Sequence, residues 1–275
     1  MENVFSPDLF FALDEKLIEL LKSLTPDEWH HQTVAKKWKV KDVAAHLLDG
    51  NIRALSLQRD GYFGTEGPSS GEFDTLVTWL NGFNNDWVDA AKRISPQVLV
   101  LLHEATGKAT CEYFASLDPD AISIFPVDWA GEKKSRNRLH VAREYTEKFL
   151  HQQQIRDAVD KPGIMTKEFF YPFMNTLVEA LPYTYRDVEA IEGTAVRLVI
   201  SSEIGGSWTV EMIDNRWQLL KTHSGDADAE VIIDPDLAWK LFSKSLRPHE
   251  VRQRVTINGK QQLGETALNM ISVMA

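Results

Sequence analysis

The sequence predicts two domains: an all-α helix bundle over residues 1–160 and, after a connecting helix and linker over 161–187, a small α+β domain with a mainly antiparallel sheet over 188–275. Three observations predict it. Leucine, valine and alanine recur at helical spacing through the first 160 residues, apolar and polar residues alternate after about Asp187, and Lys161-Pro162-Gly163 marks the change. A chain of 275 residues, 43% hydrophobic and 25% charged, is long enough for two ordinary domains and is not of a disordered or low-complexity class.

Taken in order, Leu9, Leu13, Leu17, Leu20, Leu21 and Leu24 form one helical stripe that stops at Thr25-Pro26-Asp27. The spacing of Val43, Ala44, Leu47, Leu48, Ala54 and Leu55 predicts a second helix from about Val40 to Asp60. Gly61 to Gly71 (GYFGTEGPSSG) is a loop by composition, and a third helical region runs from Phe73 to Ile94. Ser95-Pro96 opens a fourth helix, with Ser95 as N-cap and Pro96 at the first helical position, and it continues to Leu117. Asp118 to Arg136 is expected to be irregular, and a last long helix covers about Arg138 to Val159. This is the pattern of an up-and-down bundle with decorated loops. Beyond it, a helix from Met165 to Leu181 is stopped by Pro182. Val196–Ile200, Trp208–Met212 and Trp217–Leu220, separated by Gly205-Gly206 and Asp214-Asn215, read as two hairpins in a row. Glu230–Ile233 and Val255–Asn258 are further strands, Pro235–Ser245 and Glu265–Met274 further helices, and Trp208, Trp217 and Trp239 are expected to anchor the core of this part.

Forty acidic residues against thirty basic ones leave a net charge of −10, which disfavours the clustered cations of a nucleic-acid footprint. No stretch approaches the roughly 20 apolar residues that span a bilayer. The segment MENVFSPDLFFALDEK lacks a basic run followed by an apolar one, so a cytoplasmic protein without membrane or nucleic-acid partners, monomeric or weakly dimeric, is expected. The lone Cys111 excludes an internal disulfide and a cysteine-rich zinc site, and reads as a small core residue. Any metal must then be held by histidine and carboxylate.

His140, Glu144, Glu147 and His151 follow one another at steps of four, three and four, so they share one helical face. An imidazole and a carboxylate one turn apart can hold one ion together; otherwise such a face is a solvated stripe of polar pairs. His46, in the apolar stretch WKVKDVAAHLLDG, needs a partner because burying an imidazole unpaired is costly. In an antiparallel bundle an inward histidine from one helix can meet a Glu/His pair from another. His46, His151 and a carboxylate from Glu144 or Glu147 would supply two imidazoles and one carboxylate, which suits zinc, nickel or ferrous iron and leaves coordination positions open. Asp42, one turn before His46, and Asp49, nearly one turn after it, are candidates to orient an imidazole. Gln154, three residues beyond His151, could hydrogen-bond a ligand, while Asn81 and Asn84 in TWLNGFNNDWV are candidate pocket-lining groups. Surface, capping or helix-end roles are the alternatives for each. His140 lies about 16 Å along the helix from His151, too far for the same ion. His30, His31, His103, His223 and His249 read as ordinary polar positions.

Three segments carry a resemblance: W-x-V-x-D-V-A-A-H-L (Trp38 to Leu47), LSLQRDG (Leu55 to Gly61) and R-E-Y-x-E-K-x-L-H-Q-Q-Q-I-R-D-A (Arg143 to Ala158). In this order they resemble the mycothiol-dependent maleylpyruvate isomerase family, a branch of the DinB-like four-helix metalloproteins. The resemblance implies a DinB-like bundle whose His46, Glu147 and His151 bind a divalent metal, usually zinc, and it selects Glu147 over Glu144. The G-G-x-W hairpin at Gly205–Trp208, DPDLAWKLF at Asp234–Phe242 and V-x-I-N-G-K at Val255–Lys260 resemble the sterol-carrier-like domain often fused to that bundle. One position departs: Lys39 stands where the family often has Ser or Thr, and an ammonium cannot accept the capping bond. The implied function is that of a metal-dependent enzyme using a low-molecular-weight thiol such as mycothiol, whose thiolate attacks an electrophilic substrate in S-transfer or isomerisation. A non-catalytic metal- and small-ligand-binding protein and a metal-dependent hydrolase are the alternatives.

Overall fold

Residues 7–69, 73–124, 135–220 and 225–270 are described by the structure, a computed structural model. The chain begins with α1 (Pro7–Lys22), α2 (Val40–Arg53), α3 (Phe73–Ala91), α4 (Pro96–Ser116) and α5 (Asn137–Val159). Contacts divide it into two units: Phe5–Ile124 with Glu147–Ile164, and Met1–Val4 with Phe125–Thr146 and Met165–Ala275. The division falls inside α5, so the units are discontinuous in sequence, whereas the boundary suggested at residue 160 is contiguous.

In the helical unit the leucine stripe of α1 does what its spacing predicts. Leu17, Leu20 and Leu21 pack with Val40, Val43, Ala44, Leu47 and Leu48 of α2, Leu99 of α4 and Ile155 and Val159 of α5. Each such aliphatic side chain contributes about 1.5–3 kcal/mol by leaving water. Ser95 caps α4 as its sequence implies, its Oγ accepting from the Val98 N–H at 3.3 Å, with Pro96 in the first turn. The end of α5 is tied down by Arg156, whose Nη1 donates to the carbonyls of Lys161 and Pro162 and whose Nη2 donates to Lys16 O.

Two features of this unit differ from the sequence reading. The helix expected to reach Asp60 is regular only to Arg53; Ala54–Arg59 is π-helical, with the Asp60 N–H donating to Leu55 O five residues back. Six residues are too few for hydrophobic spacing to separate the two pitches. His103 is not an ordinary polar residue: it is buried, its Nε2 lies 2.9 Å from Ala44 O, and burial pushes its pKa down to about 4. Nearby, Lys148 and Asp14 form an ion pair whose side chains are only 5% and 7% exposed. Gly107 leaves room for it, since a Cβ there would stand 2.3 Å from Asp14 Oδ2. Cys111 is a buried core residue, as expected, and burial pushes its thiol pKa up to about 12.

The other unit contains α6 (Lys167–Leu177) and α7 (Leu181–Thr184), then β1 (Ala195–Ile200), β2 (Gly206–Ile213), β3 (Arg216–Leu220), β4 (Ala229–Ile233), α8 (Pro235–Phe242), α9 (Pro248–Val251), β5 (Thr256–Gly259) and α10 (Gln261–Ala267). The helix predicted to stop at Pro182 instead ends as α6 with a 3₁₀ turn, and Pro182 lies in the first turn of α7, where a missing N–H costs nothing. The sheet order is β3-β2-β1-β4-β5; three pairings are antiparallel and β1 with β4 is parallel. Asp214 and Asn215, both at positive φ, make the tight β2–β3 turn that an Asp-Asn pair suits. Asp234 caps α8 by accepting from the Leu237 N–H at 2.8 Å. Trp208, Trp217 and Trp239 are all buried, as their role as anchors requires. The closing helix begins at Gln261 rather than Glu265, and the end expected for it, Met274, lies outside the described residues. Among the described residues no helix is long and apolar enough to cross a membrane.

Candidate metal centre

The first histidine is placed by the start of α2. Lys39 is extended there, and its N–H donates to Asp42 Oδ2 at 3.0 Å. This is half of a capping box, because the lysine ammonium cannot return an acceptor. The Val40 N–H donates to His31 O at 3.0 Å. With the entry fixed, Trp38 lies against the His46 ring at a centroid distance of 4.8 Å and against the His151 ring at 6.1 Å.

One donor atom each from His46, Glu147 and His151 comes within 4.8 Å of the others. The two imidazoles meet edge to face at 4.6 Å, and His151 Nε2 lies 3.3 Å from Glu147 Oε2. His151 is buried, while His46 and Glu147 are half-buried. Gln154 Oε1 accepts from the His151 Nδ1–H at 2.9 Å. That bond holds the ring with Nε2 turned toward Glu147. Nε2 therefore faces a carboxylate oxygen, an approach that either a proton or a metal cation between them would complete. His46 adds a second unsatisfied group, because its Nδ1 is buried without a hydrogen-bond partner. Burial, helped by the neighbouring His151 and Arg53, holds the His46 ring well below the usual histidine range, so it stays neutral, the form that ligates metals. A structural core histidine would have its ring nitrogens paired. The donor set, its convergence and the orphaned nitrogen fit a divalent cation.

Glu144 lies 3.9 Å from His140 and is not part of this cluster, whereas Glu147 is. Asp42 serves as the α2 cap and not as a support for an imidazole. Asp49 is buried and turns to Arg53, whose Nε lies 3.0 Å from its Oδ2. Burial raises the Asp49 pKa, and the Arg53 charge opposes the rise. Asn81 is exposed on α3; Asn84 is half-buried, with its Oδ1 buried and without a hydrogen-bond partner. Trp38 and Arg53 are the two neighbours that sequence reasoning passed over. The signal for Trp38 was its place just before the α2 cap, and for Arg53 its step of four from Asp49. Replacing Gln154 by leucine frees the His151 ring to rotate and is expected to weaken zinc binding by about 10–100-fold, as loss of an outer partner does elsewhere. Competition with a chromogenic chelator would measure it.

The family model described as the mycothiol maleylpyruvate isomerase N-terminal domain matches residues 10–156. Among solved structures, the crystal structure of the mycothiol-dependent maleylpyruvate isomerase is 14% identical, with a TM-score of 0.52 over 92% of this chain and 91% of that one. A histidine-to-alanine mutant of it is 13% identical, with a TM-score of 0.51 over the same shares. At these identities the likeness is one of fold. No curated protein matches the chain significantly. The matched residues cover more than half of the chain and contain both histidines and the glutamate of the cluster, and on that match the chain belongs to the mycothiol maleylpyruvate isomerase N-terminal domain family.

Proposed function

We propose that this chain is a divalent-metal-dependent enzyme, with zinc as its ion at His46, Glu147 and His151, that uses a low-molecular-weight thiol such as mycothiol to act on an electrophilic carbon, as a thiol S-transferase or a maleylpyruvate-type isomerase. The observation that supports the reading is the convergence of one donor atom each from His46, Glu147 and His151 within 4.8 Å, with His46 Nδ1 buried and lacking a hydrogen-bond partner. A divalent ion held there supplies Lewis acidity that lowers the pKa of a thiol brought to it.

The chain's own residues do the rest. Gln154 holds the His151 ring in orientation, burial keeps His46 neutral, and the Trp38 ring covers the imidazoles on one side. Glu147, with 43% of its side chain exposed, marks the open side by which a small molecule enters. Three protein ligands leave room for an exogenous one. The thiol must be diffusible, because Cys111 is buried and burial makes it a poor thiolate. Addition of the thiol to the electrophile, bond rotation and release of the thiol give isomerisation, whereas retention gives a conjugate.

The test is to incubate the zinc-loaded protein with mycothiol and an electrophile such as maleylpyruvate. Metal-dependent isomerisation or consumption of thiol is expected. Absence of turnover with mycothiol, bacillithiol and glutathione would overturn the proposal, and metal-dependent turnover without any thiol would mark a hydrolase instead.

A further inference from the structure

Ala44, Ala45 and His46 are each engaged by a different helix. His103 of α4 places its Nε2 2.9 Å from Ala44 O, and because a carbonyl only accepts, that nitrogen donates. Trp87 of α3 donates from its Nε1–H to Ala45 O at 2.8 Å. The His46 ring meets the His151 ring of α5 at 4.6 Å and the Trp38 ring at 4.8 Å. Successive residues of a helix are turned by about 100°, so α4 and α3 grip α2 on two sides and His46 leaves it on a third.

The two ring donors are not needed to complete the helix. Both carbonyls lie inside α2, where each accepts from the N–H four residues on, so the bonds from α3 and α4 are additional. Buried alanine at both positions keeps the surface of α2 low enough for the rings to reach its backbone. His103 also carries a cost. Its Nδ1 is buried without a hydrogen-bond partner, whereas a leucine would occupy the space with no polar atom to satisfy. Packing alone therefore does not account for an imidazole at this position; the donation from its other nitrogen does. An unsatisfied buried atom is the kind of local cost that natural proteins carry at functional sites.

We propose that His103 and Trp87 are positioning residues of the candidate metal centre: by fixing the carbonyls of the two residues before His46, they set the rotation and height of α2 at which the His46 imidazole faces His151 and Glu147. Neither is among the three donor residues, and α3 and α4 supply none of them. A metal site has to be held to about 0.5 Å of its working geometry, and a bond to the backbone from each of two neighbouring helices enforces that tolerance. The proposal rests on the metal reading given above.

The experiment uses the full chain and its variants His103→Leu, His103→Gln and Trp87→Phe. Zinc affinity is read by competition with a chromogenic chelator, and ligand geometry by the visible absorption of the cobalt(II)-loaded protein. His103→Leu and Trp87→Phe should each weaken zinc binding by about tenfold, the lower end for loss of an outer partner, and alter the cobalt spectrum. His103→Gln, whose amide N–H can donate to the same carbonyl, should restore both, which a loss of packing would not allow. In the metal-free chain, the nuclear Overhauser contacts between the Trp38 and His46 rings should weaken in His103→Leu and Trp87→Phe and survive in His103→Gln. Should the leucine variant fail to fold, Trp87→Phe, which keeps an aromatic ring in place, carries the comparison. Unchanged zinc affinity, cobalt spectrum and ring contacts in the folded variants would overturn the assignment, as would a glutamine variant as impaired as the leucine one. An unaltered chain that binds neither zinc nor cobalt would sink the metal reading alone, because the ring contacts of the metal-free protein still decide the positioning.

Discussion

His46→Leu is expected to remove stoichiometric zinc and thiol turnover while leaving the metal-free protein at least as heat-stable as the unaltered chain. The two halves of this result come from the same side chain. His46 Nδ1 is buried with no hydrogen-bond partner, so the imidazole carries a desolvation penalty of about 1–3 kcal/mol that nothing in the metal-free protein offsets. Leucine is of similar size, suits the flanking Val43, Ala44, Leu47 and Leu48, and carries no polar atom to satisfy. Loss of one of three ligands should cost the site more than the roughly 10–100-fold typical of an outer partner. Zinc at one hundred times its dissociation constant would stabilise the unaltered protein by about 2.7 kcal/mol, and the variant should lose that increment. Melting curves with and without chelator, paired with metal analysis, read both halves. If the metal-free variant melts lower by 1–3 kcal/mol and zinc content is unchanged, His46 is an ordinary core residue and the centre is wrongly assigned.

How much of this was legible beforehand depends on the range over which each feature is decided. The face shared by Glu147, His151 and Gln154 is a matter of helical pitch, and the sequence shows it directly. The inward position of His46 follows from the apolar residues around it. The choice among carboxylates is another matter. Asp42 and Asp49 stand almost symmetrically about His46, yet one is taken by the free N–H of Lys39 and the other by Arg53, so neither completes the imidazole. That outcome is set by competing partners at each end of α2, which spacing does not rank. The burial of His103 was equally hidden, since it depends on the approach of Ala44 O from a different helix. In the sheet, alternation located β4, but its parallel pairing with β1 is a property of chain topology.

The pair Lys148–Asp14 gives the largest stability effect expected outside the metal centre. Lys148 follows Glu147 in sequence, but one residue is about 100° of rotation on a helix, so the ammonium enters the bundle interior while Glu147 faces the candidate centre. There the pair is nearly sealed from water, and Gly107 has no side chain so that the carboxylate can fit. Removing one partner leaves the other charge buried and unpaired, at a cost of about 3–5 kcal/mol. Lys148→Met and Asp14→Leu should therefore each destabilise the chain by that order. The double variant should recover most of the loss, because an apolar pair of similar volume is often neutral or better than a buried ion pair. Urea denaturation of the four proteins supplies the cycle, and a strong coupling between the two sites is the expected result. Additive losses would mean that the charges are solvated independently, contrary to their burial. Zinc affinity should stay unchanged in the double variant, which separates the interior pair from the proposed ligands Glu147 and His151 on the same helix.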